Sequence, residues 1–330
     1  MLTGGLIGAG AAARFHAEGV ASQSGGGVCF KWVWDADSEA AQALGQRFGI
    51  AVADSLERIL DDEDVDFVDI CTPSSSHREY VERAAEAAKH IFCEKPLALT
   101  MRDAEAMVEV CKNVGVCLGV GMVTRYLPQY RLIHQLIRSG NIGEVAVVHA
   151  SRCARQPAGA GNWYHRPQLS GGVVVDLLID DIDFCQWCFG RIEKVFCIGA
   201  MGREDIGDYA LLLCGFGSGM IAHLEGSWAE GDGFYTRFEA AGDSGLLEYD
   251  SRRSRPFVVQ KRGREAESAD AGIAESSTVV NPFYAELSDF AALVEMGRPM
   301  QVSVEDALSA LRVALTAKRS YTERAPLVLR

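Results

Sequence analysis

The stretch Ile91-Phe92-Cys93-Glu94-Lys95-Pro96-Leu97 sets an acid and a base against a proline at the end of an apolar run. Proline cannot donate a ladder hydrogen bond and fixes its own φ, so a strand ending here must stop at Pro96. It also restricts Lys95 to extended backbone geometry. The Lys95 ammonium is then expected at the carboxyl end of a strand, where open α/β sheets bind ligands. Taken alone, the triplet more readily describes a surface Glu-Lys pair before a turn.

A second set lies near the start. Gly8-Ala9-Gly10-Ala11-Ala12-Ala13 follows a short strand, Leu2–Ile7, and opens a helix that runs to about Ser22. In this G-x-G-x-x-A pattern Gly8 permits a tight turn, and Gly10 lets backbone approach a pyrophosphate. The small Ala13 allows close helix–strand packing. The helix N-terminus, entered through Ala11 and Ala12, offers N–H groups and a positive dipole end. The strand Val28–Trp34 then ends in Asp35, about 20 residues beyond the turn, the spacing of a ribose-binding acid. Its carboxylate can accept from both ribose hydroxyls and would repel a 2′-phosphate. Neither Ala36 nor Asp37 supplies an arginine to compensate, so NAD is expected over NADP. The plainer alternative makes Asp35 a turn residue before the helix Ser38–Phe48.

Composition sets the frame for these residues. The 330 residues exceed what one hydrophobic core usually serves, so two domains are expected. A net charge of −13 argues against nucleic acid and anionic membrane surfaces as partners. The short basic run Arg252-Arg253-Ser254-Arg255 reads as a solvated turn. No apolar run is long enough to span a bilayer, and without a charged n-region before an apolar stretch no secretory signal is expected. The ten cysteines lie mostly in apolar runs, where Cys is a small buried hydrophobe. Cys185-Gln186-Trp187-Cys188 is a lone CxxC within a predicted helix, weak evidence for zinc or redox chemistry. His90, His134, His149 and His223 show no metal-ligand spacing, and no metal is expected. A reduced, cytoplasmic protein is the expectation.

The elements that position the residues alternate through the first part of the chain. Val65–Cys71, Ile91–Cys93 and Cys117–Val120 read as buried strands. Arg78–Lys89 and Met101–Asn113 read as helices, the latter capped by Thr100 with Asp103 three residues on. Such alternation predicts an α/β fold, a Rossmann-type doubly wound parallel sheet over residues 1–121. After Gly121 the pattern changes. A helix (Pro128–Ser139), a strand (Val145–Ala154), a loop (156–171) and a helix (Gly172–Phe189) precede a run of strands without intervening helices. This predicts an α+β domain over 122–330 with a large, mostly antiparallel, meander-like open sheet. Residues 262–280 are polar and expected to be mobile, and Phe283–Met296 and Val304–Glu323 close the chain as helices.

Taken together and in order, these pieces resemble the glucose–fructose oxidoreductase/inositol dehydrogenase (Gfo/Idh/MocA) family over nearly the whole chain. The matching pieces are Gly8-Ala9-Gly10 with His16, Asp35, Thr72-Pro73 with His77, Glu94-Lys95-Pro96-Leu97 and Gly121 to Tyr126. Ile142-Gly143-Glu144 and Ser170-Gly171-Gly172 with Asp176, Asp180-Asp181 and Asp183 also match. The likeness is strongest to the inositol dehydrogenase branch. It implies an NAD-binding Rossmann domain and a second domain for substrate and oligomer contacts, with a homodimer or homotetramer expected. The implied chemistry is reversible hydride transfer between nicotinamide and a secondary alcohol of a polyol, inositol or sugar. Lys95 would hold the reacting hydroxyl and Asp176 would orient the substrate. Arg125 would line the site, and Trp163 and His165 would belong to the substrate side. Ser75, Thr72, Pro73, His77, Glu94 and Lys95 would join Gly8, Gly10, Ala11, Ala12 and Asp35 around the cofactor.

One position departs from the family pattern. A histidine is usual four residues after the Asp176 position, as proton acceptor, and here that residue is Asp180. On a continuous helix Asp176 and Asp180 share a face. Two close carboxylates raise one pKa, while Lys95 nearby would lower it. His165 is a candidate substitute base. Two other readings stay open: a catalytically altered NAD- or sugar-binding sensor or partner subunit, and an NAD-dependent glycosidase. The plain readings of the remaining residues are packing or capping for His16 and no assigned role for Tyr284.

Overall fold

The computed structural model describes residues 1–329 except Ser24, Ala158, 203–207, 255–256 and 262–279. The polar stretch expected over 262–280 thus lies, up to residue 279, outside the described residues. The first elements are β1 (Leu2–Ile7), α1 (Ala11–Ala21), β2 (Val28–Trp34), α2 (Ser38–Phe48), β3 (Ala51–Val52), α3 (Leu56–Leu60) and β4 (Phe67–Ile70). They continue with α4 (His77–Glu86), β5 (His90–Glu94), α5 (Met101–Val114) and β6 (Leu118–Gly121). All six strands run parallel in the order β3-β2-β1-β4-β5-β6, the expected doubly wound sheet. Its central strands read as continuous apolar runs because both faces are covered. Leu6, Ile7, Phe67, Ile70, Ile91 and Phe92 are fully buried.

Local capping fixes where the helices begin. The Asp37 side chain accepts from the N–H groups of Glu39 and Ala40 at the start of α2. Thr100 accepts from Asp103 N–H at 3.1 Å and donates to the Asp103 carboxylate at 2.7 Å, so the expected cap on α5 forms reciprocally.

The second sheet is built from β7 (Val145–Arg155), β8 (Ile192–Ala200), β9 (Tyr209–Phe216), β10 (Ile221–Ser227), β11 (Ala229–Gly242), β12 (Gly245–Asp250) and β13 (Phe257–Lys261), with α6 (Pro128–Arg138) before it. Between β7 and β8 come α7 (Pro167–Ser170), α8 (Gly172–Asp176) and α9 (Ile179–Phe189). The strand order is β13-β12-β11-β7-β10-β9-β8-β14, where β14 is Leu327–Val328. The sheet is mostly antiparallel, as expected, but it is not a simple meander. β7 is inserted between β10 and β11 and pairs parallel with β10, from Val147 opposite Ile221 to Cys153 opposite Ser227. The intervening helices supply the long crossover that a parallel pair needs.

A second difference concerns the helix expected over Gly172–Phe189. It is broken at Leu177-Leu178. The N–H of Leu177 and that of Leu178 both go back to the Val173 carbonyl, at 3.1 and 2.9 Å, and a new ladder starts when Asp181 donates to Leu178. Asp176 closes α8 and Asp180 lies in the first turn of α9, so the shared-face argument loses its continuous helix.

After β13 the chain returns to the first sheet. Helix α10 (Pro282–Met296) places Leu287, Phe290 and Ala291 in one core with Leu2, Val28, Phe67 and Phe92. The Phe290 ring meets those of Phe67 and Phe92 at centroid distances of 5.6 and 5.5 Å. Helix α11 (Val304–Glu323) follows. The chain therefore forms two compact units, Met1–Tyr126 with Thr278–Leu308, and Leu127–Ser277 with Ser309–Arg330. A linear division into 1–121 and 122–330 misses this return. No described helix is long and apolar enough to cross a membrane.

Candidate active site

Where β1 leaves the sheet, Gly8 turns with φ +101°. A Cβ at Gly8 would stand 2.7 Å from the Cys71 carbonyl oxygen, so both the angle and the space demand glycine. Gly10 caps α1, and apart from its own and its chain neighbours' atoms no described atom lies within 4 Å of the place its Cβ would take. Backbone on that side is open to a ligand. The Asp35 carboxylate braces the turn from the end of β2. Its Oδ2 accepts from Ala9 N–H at 2.7 Å and its Oδ1 from Asp37 N–H at 2.8 Å. A cleft of about 390 Å³ opens beside Ala9, Gly10 and Ala11, with Arg14, Ala40, Ala43, Leu44 and Arg47 as its other lining. An open turn, a helix N-terminus and a braced carboxylate fit a dinucleotide. Reading Ala36 and Asp37 alone missed Arg14 and Arg47, because they reach this cleft from the sides of two helices.

The residues around Thr72 are tied into a loop after β4. His77 is buried, with Nδ1 3.0 Å from the Pro96 carbonyl oxygen and Nε2 2.9 Å from that of Thr72. Burial pulls its pKa down. Its ring ties the Thr72-Pro73 loop to the Pro96-Leu97 turn. Ser76 Oγ donates to the Pro73 carbonyl and to Thr72 Oγ1, and Ser75 is exposed.

β5 ends at Glu94, and Lys95, half-buried, precedes Pro96 through a cis peptide. Lys95 N–H donates to Glu94 Oε2 at 3.0 Å. The other oxygen, Oε1, turns inward to His16 Nε2 at 3.0 Å. One Glu94 oxygen is thus directed into the protein. His16 Nδ1 lies 2.7 Å from Asp69 Oδ2, and Nε2 is also 3.6 Å from Glu286 Oε1 on α10. Burial alone would lower the His16 pKa, but the carboxylate of Asp69, aided by Cys71, outweighs it and holds the pKa well above 6.5. The Cys71 thiol, pushed up by burial and Asp69, stays protonated and donates to Asp69 Oδ1 at 3.4 Å.

His16 with Asp69 and Cys71, and His16 with Glu94 and Glu286, are groups that could hold a metal ion. Spacing in the sequence could not reveal them, since the partners come from four elements. Two ligands about 2.0–2.1 Å from a tetrahedral zinc stand about 3.3 Å apart. The 2.7 Å contact between His16 and Asp69 is that of a direct, charge-assisted hydrogen bond instead.

Arg125, expected to line the substrate site, is buried in the first unit. Its Nη1 donates to the Gln301 carbonyl at 3.1 Å and to Asp306 at 3.2 Å. The Tyr284 hydroxyl accepts from Gly27 N–H at 2.9 Å.

In the second unit Asp176 is half-buried, and Asp180, Asp181 and Asp183 are buried. Arg152, on β7, donates to both Asp181 oxygens at 2.8 and 3.1 Å and to the Tyr130 hydroxyl at 3.2 Å. Burial works against the Arg152 charge, and Asp181, Tyr130 and Asp180 more than restore it. No local pattern marks this pair, because Arg152 sits in a strand that reads as ordinary. His165 and Trp163 lie half-buried on the short 3-10 turn Ala160–His165, where Trp163 stacks on Tyr164 at 3.8 Å.

Comparison with known proteins agrees with this picture at both ends of the chain. Residues 2–122 match the model of an oxidoreductase family with an NAD-binding Rossmann fold, and residues 130–248 match a GFO/IDH/MocA C-terminal domain. The chain is 30% identical to an inositol 2-dehydrogenase of Rhizobium meliloti over 97% of each protein. It is 28% identical to a myo-inositol 2-dehydrogenase of Thermotoga maritima, over 97% of this chain and 96% of that one. A levoglucosan dehydrogenase solved in complex with NADH shares the fold, with a TM-score of 0.86 at 22% identity over 100% of this chain and 99% of that one.

Proposed function

Because the chain belongs to the Gfo/Idh/MocA oxidoreductase family, with an NAD-binding Rossmann domain over residues 2–122, we propose that it is a dehydrogenase that moves a hydride between NAD and a secondary alcohol of an inositol, another polyol or a sugar. The observation that carries this reading is the 30% identity to an inositol 2-dehydrogenase over 97% of both chains. The open glycine turn braced by Asp35 supports its cofactor half.

Bound nicotinamide would supply the hydride acceptor. The chain's own residues do the rest. The backbone at Gly10 and Ala11 and the start of α1 take the pyrophosphate. The second lone pairs of the Asp35 oxygens accept from the ribose hydroxyls, and its charge favours NAD over NADP. Arg14 and Arg47 work in the opposite sense, so the preference is a balance to be measured.

An alcohol must give up its hydroxyl proton as the hydride leaves carbon. Lys95 is assigned to hold that hydroxyl, Asp176 to orient the substrate, and Asp180 to the position where the family carries histidine. A carboxylate with a pKa near 4 is a poor base at neutral pH. Lys95 or His165 therefore shares the proton work in this reading. A homodimer or homotetramer and a cytoplasmic setting complete the proposal.

Purified protein with NAD and a panel of inositols, other polyols and sugars, followed by absorbance of the reduced cofactor, tests it. Turnover that survives Asp180→Asn but not Lys95→Met assigns the proton transfer to Lys95 or His165. Failure of every polyol and sugar, with NAD bound normally, would overturn the reading.

A further inference from the structure

The His16 ring joins helix α1, which opens on the cofactor turn, to the residue preceding Lys95. Its two nitrogens face carboxylate oxygens at 2.7 Å (Asp69) and 3.0 Å (Glu94), with Glu286 at 3.6 Å. Carboxylates accept, so the ring satisfies both contacts when it carries a proton on each nitrogen. The Phe92 and Phe283 rings pack on it at centroid distances of 5.8 and 5.6 Å. His16, Asp69 and Glu286 are buried, and the Glu94 side chain is 12% exposed. The second Glu94 oxygen then accepts the Lys95 N–H at 3.0 Å. The chain of contacts runs from Asp69 through His16 and Glu94 to the Lys95 backbone, all inside the first unit.

We propose that His16 is a positioning residue for Lys95: as a doubly protonated ring it pins Glu94 inward, and Glu94 fixes the backbone from which the Lys95 side chain departs. The arrangement also sets the charge beside Lys95. The Glu94 carboxylate meets the Lys95 backbone N–H through one oxygen and the His16 ring through the other. Removing His16 exposes Lys95 to more negative charge and favours the ammonium; removing the Glu94 charge does the reverse. This inference rests on the reading that Lys95 takes part in proton transfer, and its test separates the two.

The test uses the full-length protein without cofactor, its lysines carrying 13C-methyl groups and the Lys95 signal assigned by its loss in Lys95→Met. The Lys95 pKa is expected to rise in His16→Asn and to fall in Glu94→Gln, each by about half a unit or more. His16→Gln, whose amide can still donate to Glu94, is expected to stay closer to wild type. Turnover in the oxidation direction follows: in His16→Asn the pH profile moves to higher pH, and kcat drops by up to about 100-fold for a displaced catalytic group.

A merely structural role would lower stability and leave the Lys95 titration where it was. Unchanged titration in both variants, or shifts of the same sign, overturns the proposal. If His16→Asn does not fold, Glu94→Gln decides it alone, and an unshifted Lys95 there overturns it. Full activity of Lys95→Met would instead sink the catalytic reading of Lys95, while the opposed shifts would still establish the tie from His16.

Discussion

The Asp35 carboxylate accepts a 2.7 Å hydrogen bond from the backbone N–H of Ala9, a residue 26 positions earlier in the chain. One side chain thereby sets the shape of the glycine turn and presents its remaining lone pairs to a ribose. Hydrogen bonds to a charged group contribute about 1.5–3 kcal/mol each. Asp35→Ser should therefore weaken NAD binding by about 10- to 150-fold and narrow the gap between NAD and NADP. Calorimetric titration with each cofactor checks this. An unchanged NAD Kd would remove Asp35 from the cofactor site.

Gly8 offers a sharper test of the same turn. Alanine there must adopt φ +101° with its Cβ 2.7 Å from a carbonyl oxygen. Such strain costs about 1–3 kcal/mol, and the clash adds to it. Urea unfolding of Gly8→Ala should show a lower midpoint with an unchanged slope. A wild-type midpoint would mean that the turn relaxes at no cost.

The Arg152–Asp181 pair predicts asymmetry between single and double replacement. Both groups are buried and bidentate at 2.8 and 3.1 Å. Arg152→Met leaves a buried carboxylate uncompensated and should cost about 3–5 kcal/mol. The double variant Arg152→Met with Asp181→Leu should recover most of that loss. Additive losses in the unfolding free energies would show that the two act independently.

His16 predicts a pH dependence with a definite sign. Its folded pKa is held well above 6.5, despite burial, chiefly by Asp69. A raised pKa stabilises the fold fully below the unfolded value, about 6.5, and this contribution is lost as pH rises toward the folded pKa. The difference in unfolding free energy between wild type and His16→Gln should therefore shrink from pH 6 upward into the alkaline range. A difference that grows with pH would mean that the ring is neutral in the folded protein.

How far the sequence reached follows from the range of the interactions. The turn at Gly8–Ala13, the Asp35 strand end and the Thr100 cap depend on residues within one or two elements, and each carries a local pattern. The interruption at Leu177-Leu178 carries none. Neither residue is a glycine or a proline, so the run to Phe189 looks like one helix, and the shared face of Asp176 and Asp180 went with it. The parallel pairing of β7 with β10 is equally invisible, since a strand's partner is chosen by tertiary packing. His16 looks like an ordinary helix residue in the sequence because its partners, Asp69 at separation 53 and Glu94 at separation 78, lie on β4 and β5. The arginines beside the glycine turn were missed for the same reason.

The return of α10 has a consequence for how the molecule is made and how it can be recombined. Leu287, Phe290 and Ala291 complete a core whose other buried members, Leu2, Val28, Phe67 and Phe92, are translated far earlier. On the ribosome the nucleotide-binding strands emerge first and stay half-covered until the whole second sheet has followed them. A gene segment stopping near Tyr126 would encode that half without its last layer. Exchange of this half between relatives succeeds only when two separate stretches of coding sequence travel together.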